Sequence, residues 1–393
     1  MKITIPNPNK HLLPVAQLAA DSFTGGKYVD QFSQNYIGNS HYDWDVSRLV
    51  MDNDKVIHHW GVWGYQMRLE SIQLKVAGIG AVVTHEDYRK QGWMHKAAQA
   101  SFDAMEQNGY DLSILRGRHY VKMGYARAWN YVNYRFTLDD ISGAEIKKPY
   151  QPLGVECIRE MDELYNKTYA KFTGTAVRPT YLNRHPEDIG VYAWFDENGI
   201  MEGYIRALPT EENPKMLQCL EAAGDPQQGL AVLADLFQKG GYEKLTCFTL
   251  PHEHPMLQLL RRGACIVEDR YFDVSGWRVR IVNLHSALKK MTALLEARLS
   301  QSQFALWNGS LHLNGGQWKA TLRIENGKVE TTNDEASENV IGGGADIARF
   351  LIGSDEPDEI IRQADMECTG IAASLIRVLF PNLHPMMSHW DEY

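Results

Sequence analysis

The residues best placed for chemistry are Arg89-Lys90-Gln91-Gly92-Trp93-Met94-His95, which stand between an apolar run and a segment of helical spacing. Ile79 to Val83 reads as a buried strand, and a polar loop from His85 to Gln91 follows it. From Gly92 onward, Met94, Ala97, Ala98, Ser101, Phe102 and Met105 recur on one helical face, and Asn108-Gly109 supplies a stop. A helix begins with unpaired N–H groups and a partial positive charge, so a tight loop entering it can hold a phosphate or pyrophosphate. Gly92 lets the backbone approach such a ligand with no Cβ in the way. Arg89 and Lys90 add full charges at the same end. A second short strand, Leu112 to Leu115, comes next, then a turn carrying Tyr120 within Tyr120-Val-Lys-Met-Gly-Tyr125.

The elements that must position these residues follow from the rest of the chain. A length of 393 residues exceeds what one core normally supports, so two or three domains are expected. The hydrophobic share of 44% and charged share of 23% are those of a soluble globular protein. A net charge of −9 argues against general affinity for nucleic acid or anionic membrane and mildly favours cationic partners. Apolar runs stay well short of the roughly 20 residues that cross a bilayer. The opening Met-Lys-Ile-Thr-Ile-Pro lacks a signal-peptide core. Cys157, Cys219, Cys247, Cys265 and Cys368 are scattered and odd in number, which suggests neither a disulfide framework nor a zinc site. Cytoplasmic residence is the resulting expectation.

Ahead of the glycine loop, a strand from Lys2 to Ile5 precedes a helix marked by Leu12, Leu13, Ala16, Ala19 and Phe23. Lys55 to Leu69 and Ile72 to Val76 form apolar-rich runs leading into the strand at Ile79, an order of β-α-β-β-β-α-β. His58, His59, Trp60, Trp63 and Tyr65 on these runs could wall a substrate pocket or simply pack the sheet. A boundary falls near residues 145 to 153. Beyond it, Val191 to Phe195 and Met201 to Leu208 flank the turn Asp196-Glu-Asn-Gly199. A helix near Gly229 to Lys239, a strand from Lys244 to Thr249, a helical turn from Leu257 to Arg262 and a strand within Tyr271 to Val282 complete a second mixed unit without a basic glycine loop. His252 and His254 lack further ligands, so no metal is expected there. From residue 290, alternating strands Phe304 to Leu313 and Gln317 to Ile324 precede three helices, an α+β layer.

Arg89-Lys90-Gln91-Gly92-Trp93-Met94 after an apolar strand resembles the pyrophosphate loop of the GNAT acetyltransferases, and Tyr120-Val-Lys-Met-Gly-Tyr125 resembles their later aromatic-Tyr-x-x-x-Gly-aromatic segment. Met94 departs from the small residue usual in that loop, and Leu115-Arg116 replaces a Ser-Glu pair. The whole chain resembles the Eis family, which joins an active GNAT domain, an inactive GNAT-like domain and a sterol-carrier-like domain. Trp277-Arg-Val-Arg-Ile-Val-Asn283 resembles that family's passage into its third part. The resemblance implies an α/β and α+β chain: residues 1–148 an active acetyltransferase domain, 149–289 a degenerate copy, 290–393 a sterol-carrier-like domain. It implies acetyl-coenzyme A as co-substrate, no metal, a small-molecule or peptide amine as acceptor, and a homo-oligomer, hexamers included. Backbone groups of Val82, Val83 and Thr84 would bind the pantetheine arm. Arg89, Lys90, Gln91, Gly92, Trp93, Met94 and His95 would surround the pyrophosphate. Tyr120 would protonate the leaving thiolate, and the carboxylate of Tyr393 would act as general base.

That chemistry has definite needs. An alkylamine attacks a thioester only when neutral, and its pKa of about 10.4 requires a proton acceptor near neutral pH. A developing oxyanion wants backbone N–H donors. The acceptor side should be acidic, with Asp391 and Glu392 as candidates, and the apolar Met386, Met387, Trp390 and Tyr393 favour an ordered tail. The rival expectation is a non-catalytic protein that holds an apolar ligand between the strands of its last domain.

Overall fold

A computed structural model describes residues 1–137, 141, 144–180, 189–210, 213–334 and 336–393. Three sheets organise it. The first contains β1 (Lys2–Thr4), β2 (Arg48–Asp52), β3 (Lys55–Leu69), β4 (Ile72–Thr84), β5 (Leu112–Arg116), β6 (Ala126–Arg127) and the much later β14 (Trp277–Ile281), in the order β1-β2-β3-β4-β5-β14-β6. The second contains β7 (Tyr131–Phe136), β8 (Tyr150–Leu153), β9 (Val191–Phe195), β10 (Met201–Pro209), β11 (Met216–Ala223), β12 (Lys244–Cys247) and β13 (Ile266–Arg270), in the order β13-β7-β12-β11-β10-β9-β8. Sheet membership therefore departs from the expected 149–289 unit at both of its ends. Residues 131–136 pair with the second sheet, and 277–281 return to the first. The third sheet has the order β17-β16-β15-β18-β19, from β15 (Gly309–Gly315), β16 (Trp318–Glu325), β17 (Lys328–Thr332), β18 (Asn339–Gly342) and β19 (Glu367–Cys368).

The first sheet is covered on both faces, which explains why β3 and β4 read as long apolar runs rather than alternating ones. On one face lies α2 (Trp93–Gln107), whose Ala97, Ala98, Phe102 and Met105 pack on Trp60, Val62, Ala77 and Ile79. On the other, α1 (Pro8–Thr24) covers one end through Val15 and Leu18, against Trp63, Ala81 and Val83. Leu13 and Phe23, expected on the buried side of α1, are exposed. The opposite end of that face is covered from the third unit, by the helix Leu284–Ser300. Counting α3 (Ile158–Thr168), α4 (Pro226–Lys239) and α5 (Pro255–Leu260) of the second unit, this helix is α6. Its Leu288, Met291, Leu295 and Leu299 share one core with Met67, Leu74 and Val76 of the first sheet. Leu311, Leu313, Leu322 and Ile324 of β15 and β16 join the same core. The alternating strands of the third unit thus spend their inward residues on packing. Among the described residues no helix is long and apolar enough to cross a membrane.

The last helices, α7 (Ile347–Ile352), α8 (Pro357–Gln363) and α9 (Ala372–Leu379), lead into a tail that runs back across the second unit toward the first sheet. Met386 donates its N–H to the Thr173 carbonyl at 3.0 Å. Farther on, the tail meets Arg178, whose side chain is fully buried. The guanidinium donates to both Glu221 oxygens at 2.8 and 2.5 Å, to Asp391 at 3.1 Å and to the Ser388 hydroxyl at 3.0 Å, with the Tyr165 ring 3.5 Å away. Thr180 donates to Asp391 at 2.7 Å, and Tyr204 and Ser388 donate to Glu221 at 2.6 and 2.7 Å. Burial alone pushes the Glu221 carboxyl up, but Arg178 and these donors outweigh it and bring it down to about 2.

A buried charge that loses its partner is costly, so Arg178→Met should cost about 3–5 kcal/mol in urea unfolding; a loss under 1 kcal/mol would contradict the clamp. Because Glu221 is depressed in the folded chain, its contribution is present above the ordinary carboxylate range and is lost as pH falls from about 4.5 toward about 2. Thermal melts across that window should show a larger drop in wild type than in Glu221→Gln.

Candidate active site at a forked sheet

The site begins where two strands part. β4 and β5 run parallel through Val76–Leu112, Ala77–Ser113 and Gly78–Ile114, and the recorded pairing stops there although β4 continues to Thr84. Across β4, pairing with β3 shifts between His59–Val83 and Gly61–Gly80, which puts one extra residue into β4. Ala81 takes up the bulge at φ +46°. His59 holds it: its Nδ1–H donates to the Ala81 carbonyl at 2.8 Å, so its Nε2 accepts from the Tyr42 hydroxyl at 2.7 Å. Burial lowers His59 to about 4 and, helped by the neighbouring His59, His58 to about 3. His58 Nδ1 lies 2.8 Å from the Thr84 hydroxyl. Both imidazoles are neutral pins of the sheet, and packing is the reading the structure selects for them.

At the end of β4 the chain makes a short 3-10 turn, Glu86–Tyr88, and enters α2 at Gly92. Lys90 sits at φ +60° and Gly92 at φ +80°, a left-handed pair that turns the backbone sharply into the helix. A Cβ built on Gly92 meets nothing within 4 Å, so the mouth of the helix is open. The first-turn amides of Trp93, Met94 and His95 have no i−4 carbonyl to bond. Arg89 folds back, its Nε–H donating to the Thr84 carbonyl at 3.2 Å. Gln91 braces the loop by donating to the Asp87 carbonyl at 3.2 Å and accepting from Trp93 Nε1 at 3.3 Å, while Lys96 lies 4.5 Å over the Trp93 ring. Lys90 is exposed. Donors, positive charge and open space suit a diphosphate; of the β4 residues leading to this turn, Val82 and Thr84 are half-buried and Val83 is buried against α1.

The two tyrosines reach the fork from opposite faces. Tyr120 belongs to the turn Arg118–Met123 and packs on the α2 face, its ring 5.8 Å from Trp60 and 6.3 Å from Tyr125. Its phenol, protonated at neutral pH as any tyrosine is, is pushed further up to about 12 by burial. Tyr393 lies on the other face, between the α1 and α6 ends. Its ring is 5.9 Å from Tyr65 and 5.7 Å from Trp277, and its hydroxyl donates to the Ile114 carbonyl at 3.1 Å, at the last recorded pair before the strands part. Gly78 and Gly80 make this possible. A Cβ on Gly78 would lie 2.5 Å from the Tyr393 ring; one on Gly80 would lie 2.5 Å from the Tyr36 hydroxyl and 3.3 Å from the Tyr393 carboxyl carbon.

Neighbouring residues hold this arrangement and were not evident from sequence. Arg116 donates to Glu392 at 2.9 Å and lies 5.2 Å over Trp277. The turn carrying Tyr120 is pinned by Arg280, which donates to the Met123 carbonyl at 3.0 Å and lies between the rings of Phe102 and Trp318, at 3.9 and 4.6 Å. Trp318 of the third unit sits against Gly124, where a Cβ would come within 2.7 Å. Asp391, expected on the acceptor side, is buried and accepts from Arg178 and Thr180, and Glu392 accepts from Arg116, so both carboxylates already have protein partners. A glycine pair spaced by two inside a strand was the signal available for the close approach of Tyr393.

Residues 9–128 match the family model described as an acetyltransferase (GNAT) domain. Over its whole length the structure is similar to that of a GCN5-related N-acetyltransferase from Anabaena variabilis, with a TM-score of 0.76, 18% identity and 100% of both chains covered. A GCN5-related N-acetyltransferase from Kribbella flavida gives 0.70, 17% and full coverage of both chains, and Eis1 from Mycobacterium abscessus gives 0.71, 13% and the same coverage. No curated protein matches the sequence. The first unit is therefore an acetyltransferase (GNAT) domain, of an acyl-transferring enzyme class. The three-part fold is shared with these structures from end to end.

The seat of the tail on Gly78 gives a direct expectation. In Gly78→Ala the new Cβ collides with the Tyr393 ring, and overpacking of this kind costs about 1–3 kcal/mol. Carboxypeptidase should then release Tyr393 about tenfold faster than from wild type, a 1.4 kcal/mol change in tail opening. An unchanged rate would mean that the tail is not held in the fork.

Proposed function

We propose that the protein transfers an acetyl group from acetyl-coenzyme A to a primary amine of a small molecule or peptide, by direct attack within a ternary complex. The observation that carries this reading is the fork itself, with an open glycine-entered helix mouth beside it, a protonated phenol on one face and the carboxyl group of Tyr393 on the other.

In this reading the diphosphate rests on the amides of Trp93, Met94 and His95, with Lys90 and Arg89 supplying charge and Gln91 and Gly92 shaping the loop. The pantetheine arm follows the uncovered edge of Val82, Val83 and Thr84. The bulge at Ala81 turns backbone groups out of the ladder, which suits an N–H donor for the thioester oxygen as negative charge develops on it. The amine nitrogen forms a bond to the acetyl carbon while the carbon–sulfur bond breaks. The amine proton passes to the Tyr393 carboxylate, and the Tyr120 hydroxyl proton goes to the departing thiolate. Tyr120 suits that role because a phenol carries its proton at neutral pH, and burial shifts it further in that direction. The tail clamp at Arg178 holds the base in place, so the second unit serves as an anchor for the tail.

Thiol release from acetyl-coenzyme A with a panel of primary amines tests the reading. Loss of a general acid or base costs about 10²–10⁴ in rate, so Tyr120→Phe and a chain lacking Tyr393 should each fall by at least about a hundredfold in kcat, with coenzyme A still raising the melting temperature. Full activity in both variants would remove the assigned roles.

A further inference from the structure

The extra residue in β4 settles which of its residues turn their N–H groups toward the open edge of the fork, because an insertion shifts the alternation along a strand by one. Packing shows the shift. Ile79 lies in the core under α2, and Ala81, two positions on, lies in the core under α1, where an unbroken strand would put both on one face. Ala81 holds the bulge at φ +46°, a left-handed conformation that glycine adopts freely and alanine does not. A group from outside the local chain must keep it there.

His59 is that group. It stands beside the bulge on β3, wholly buried, and its Nδ1–H donates to the Ala81 carbonyl at 2.8 Å. A carbonyl can only accept, so the proton belongs on Nδ1, and the Tyr42 hydroxyl, 2.7 Å from Nε2, donates to the other nitrogen. The Tyr42 ring stacks on the imidazole at 5.8 Å and 21°. Gly61 makes room for it: a Cβ there would lie 2.6 Å from His59 Cε1 and 2.8 Å from the Gly80 carbonyl oxygen. An apolar side chain could fill the same space, but it would leave the Ala81 carbonyl without this donor and the Tyr42 hydroxyl without this acceptor.

On the reading of the fork as an acetyl-transfer site, we infer that His59 is a positioning residue for the reaction. By fixing the Ala81 carbonyl it sets the bulge, and the bulge aims the following N–H groups of β4 at the thioester oxygen as charge develops there. Tyr42 supports it by fixing the imidazole tautomer. The effect belongs to the transition state, so it acts on kcat and leaves acetyl-coenzyme A binding in place.

Steady-state thiol release from the full chain tests this, with whichever of spermidine, kanamycin and lysinamide the wild type acetylates fastest. His59→Phe keeps a buried ring but loses both hydrogen bonds, and kcat should fall about ten- to hundredfold with KM for acetyl-coenzyme A within about threefold. His59→Asn, which restores a side-chain N–H donor, should recover at least about threefold of that loss. Because glycine takes a positive φ without strain, the loss caused by His59→Phe should be at least about fivefold smaller when measured in an Ala81→Gly background. Equal losses in the two backgrounds, or an unchanged kcat in His59→Phe, would overturn the positioning role while leaving acetyl transfer standing. If His59→Phe does not fold, Tyr42→Phe decides: it leaves the rings in place and should lower kcat about three- to tenfold, and an unchanged kcat would overturn the inference. Acetylation of none of the three amines by wild type, with coenzyme A still raising the melting temperature, would overturn the transfer reading and this inference together.

Discussion

A guanidinium sealed from water holds the molecule's functional geometry together. Arg178 lies between Glu221 of the second sheet and Asp391 of the tail, and it is the point at which the last residues are tied to the body of the protein. Taking such charges out of water is expensive, and the structure meets that cost with a full set of donors from Tyr204, Ser388 and Thr180 and with the face of Tyr165. Hydrophobic burial of Trp390 or Tyr393 alone would be non-directional. The ion cluster fixes the register, so that Tyr393, two residues beyond Asp391, arrives over Gly78 and Gly80.

This makes the three units interdependent. The second contributes Arg178 and Glu221, the third contributes the tail and Trp318, and the first supplies the parted strands and the glycine loop. The strand Trp277–Ile281 strengthens the dependence by returning to the first sheet beside β5, where it places Trp277 against Tyr393 and Arg280 against the turn bearing Tyr120. A chain of this design cannot have its second and third units removed without also releasing groups from both sides of the fork.

The parts legible in sequence were those set by local rules. Helical spacing after Gly92, the stop at Asn108-Gly109, the hairpin at Asp196–Gly199 and the loop of Arg89 to His95 follow from periodicity, turn chemistry and the needs of a helix mouth, and each lies where it was expected. The long runs of β3 and β4 were legible as strands of a meander, but Ile72–Val76 and Ile79–Val83 were read as two strands where the structure has the single β4, because burial on both faces leaves no alternation to mark where a strand continues. Sheet membership of residues 131–136 and 277–281 was not legible, since a strand's partner is a long-range property. The same holds for the site. Asp391 looked like an acceptor-side acid because its type suits that role, and only the fold brings Arg178, 213 positions earlier, to neutralise it. Gly80 was read as part of the apolar strand Ile79 to Val83 and Gly78 fell just outside it, although the missing side chains of both are what admit Tyr393.

The most direct test is a crystal structure with acetyl-coenzyme A bound. The diphosphate should lie on the amides of Trp93 to His95, the pantetheine arm should pass along Val82 to Thr84 into the fork, and the thioester sulfur should be within about 3.5 Å of the Tyr120 hydroxyl, with Tyr393 still seated over Gly78 and Gly80. A nucleotide bound away from the mouth of α2, or a Tyr393 expelled from the fork by the bound thioester, would contradict the account.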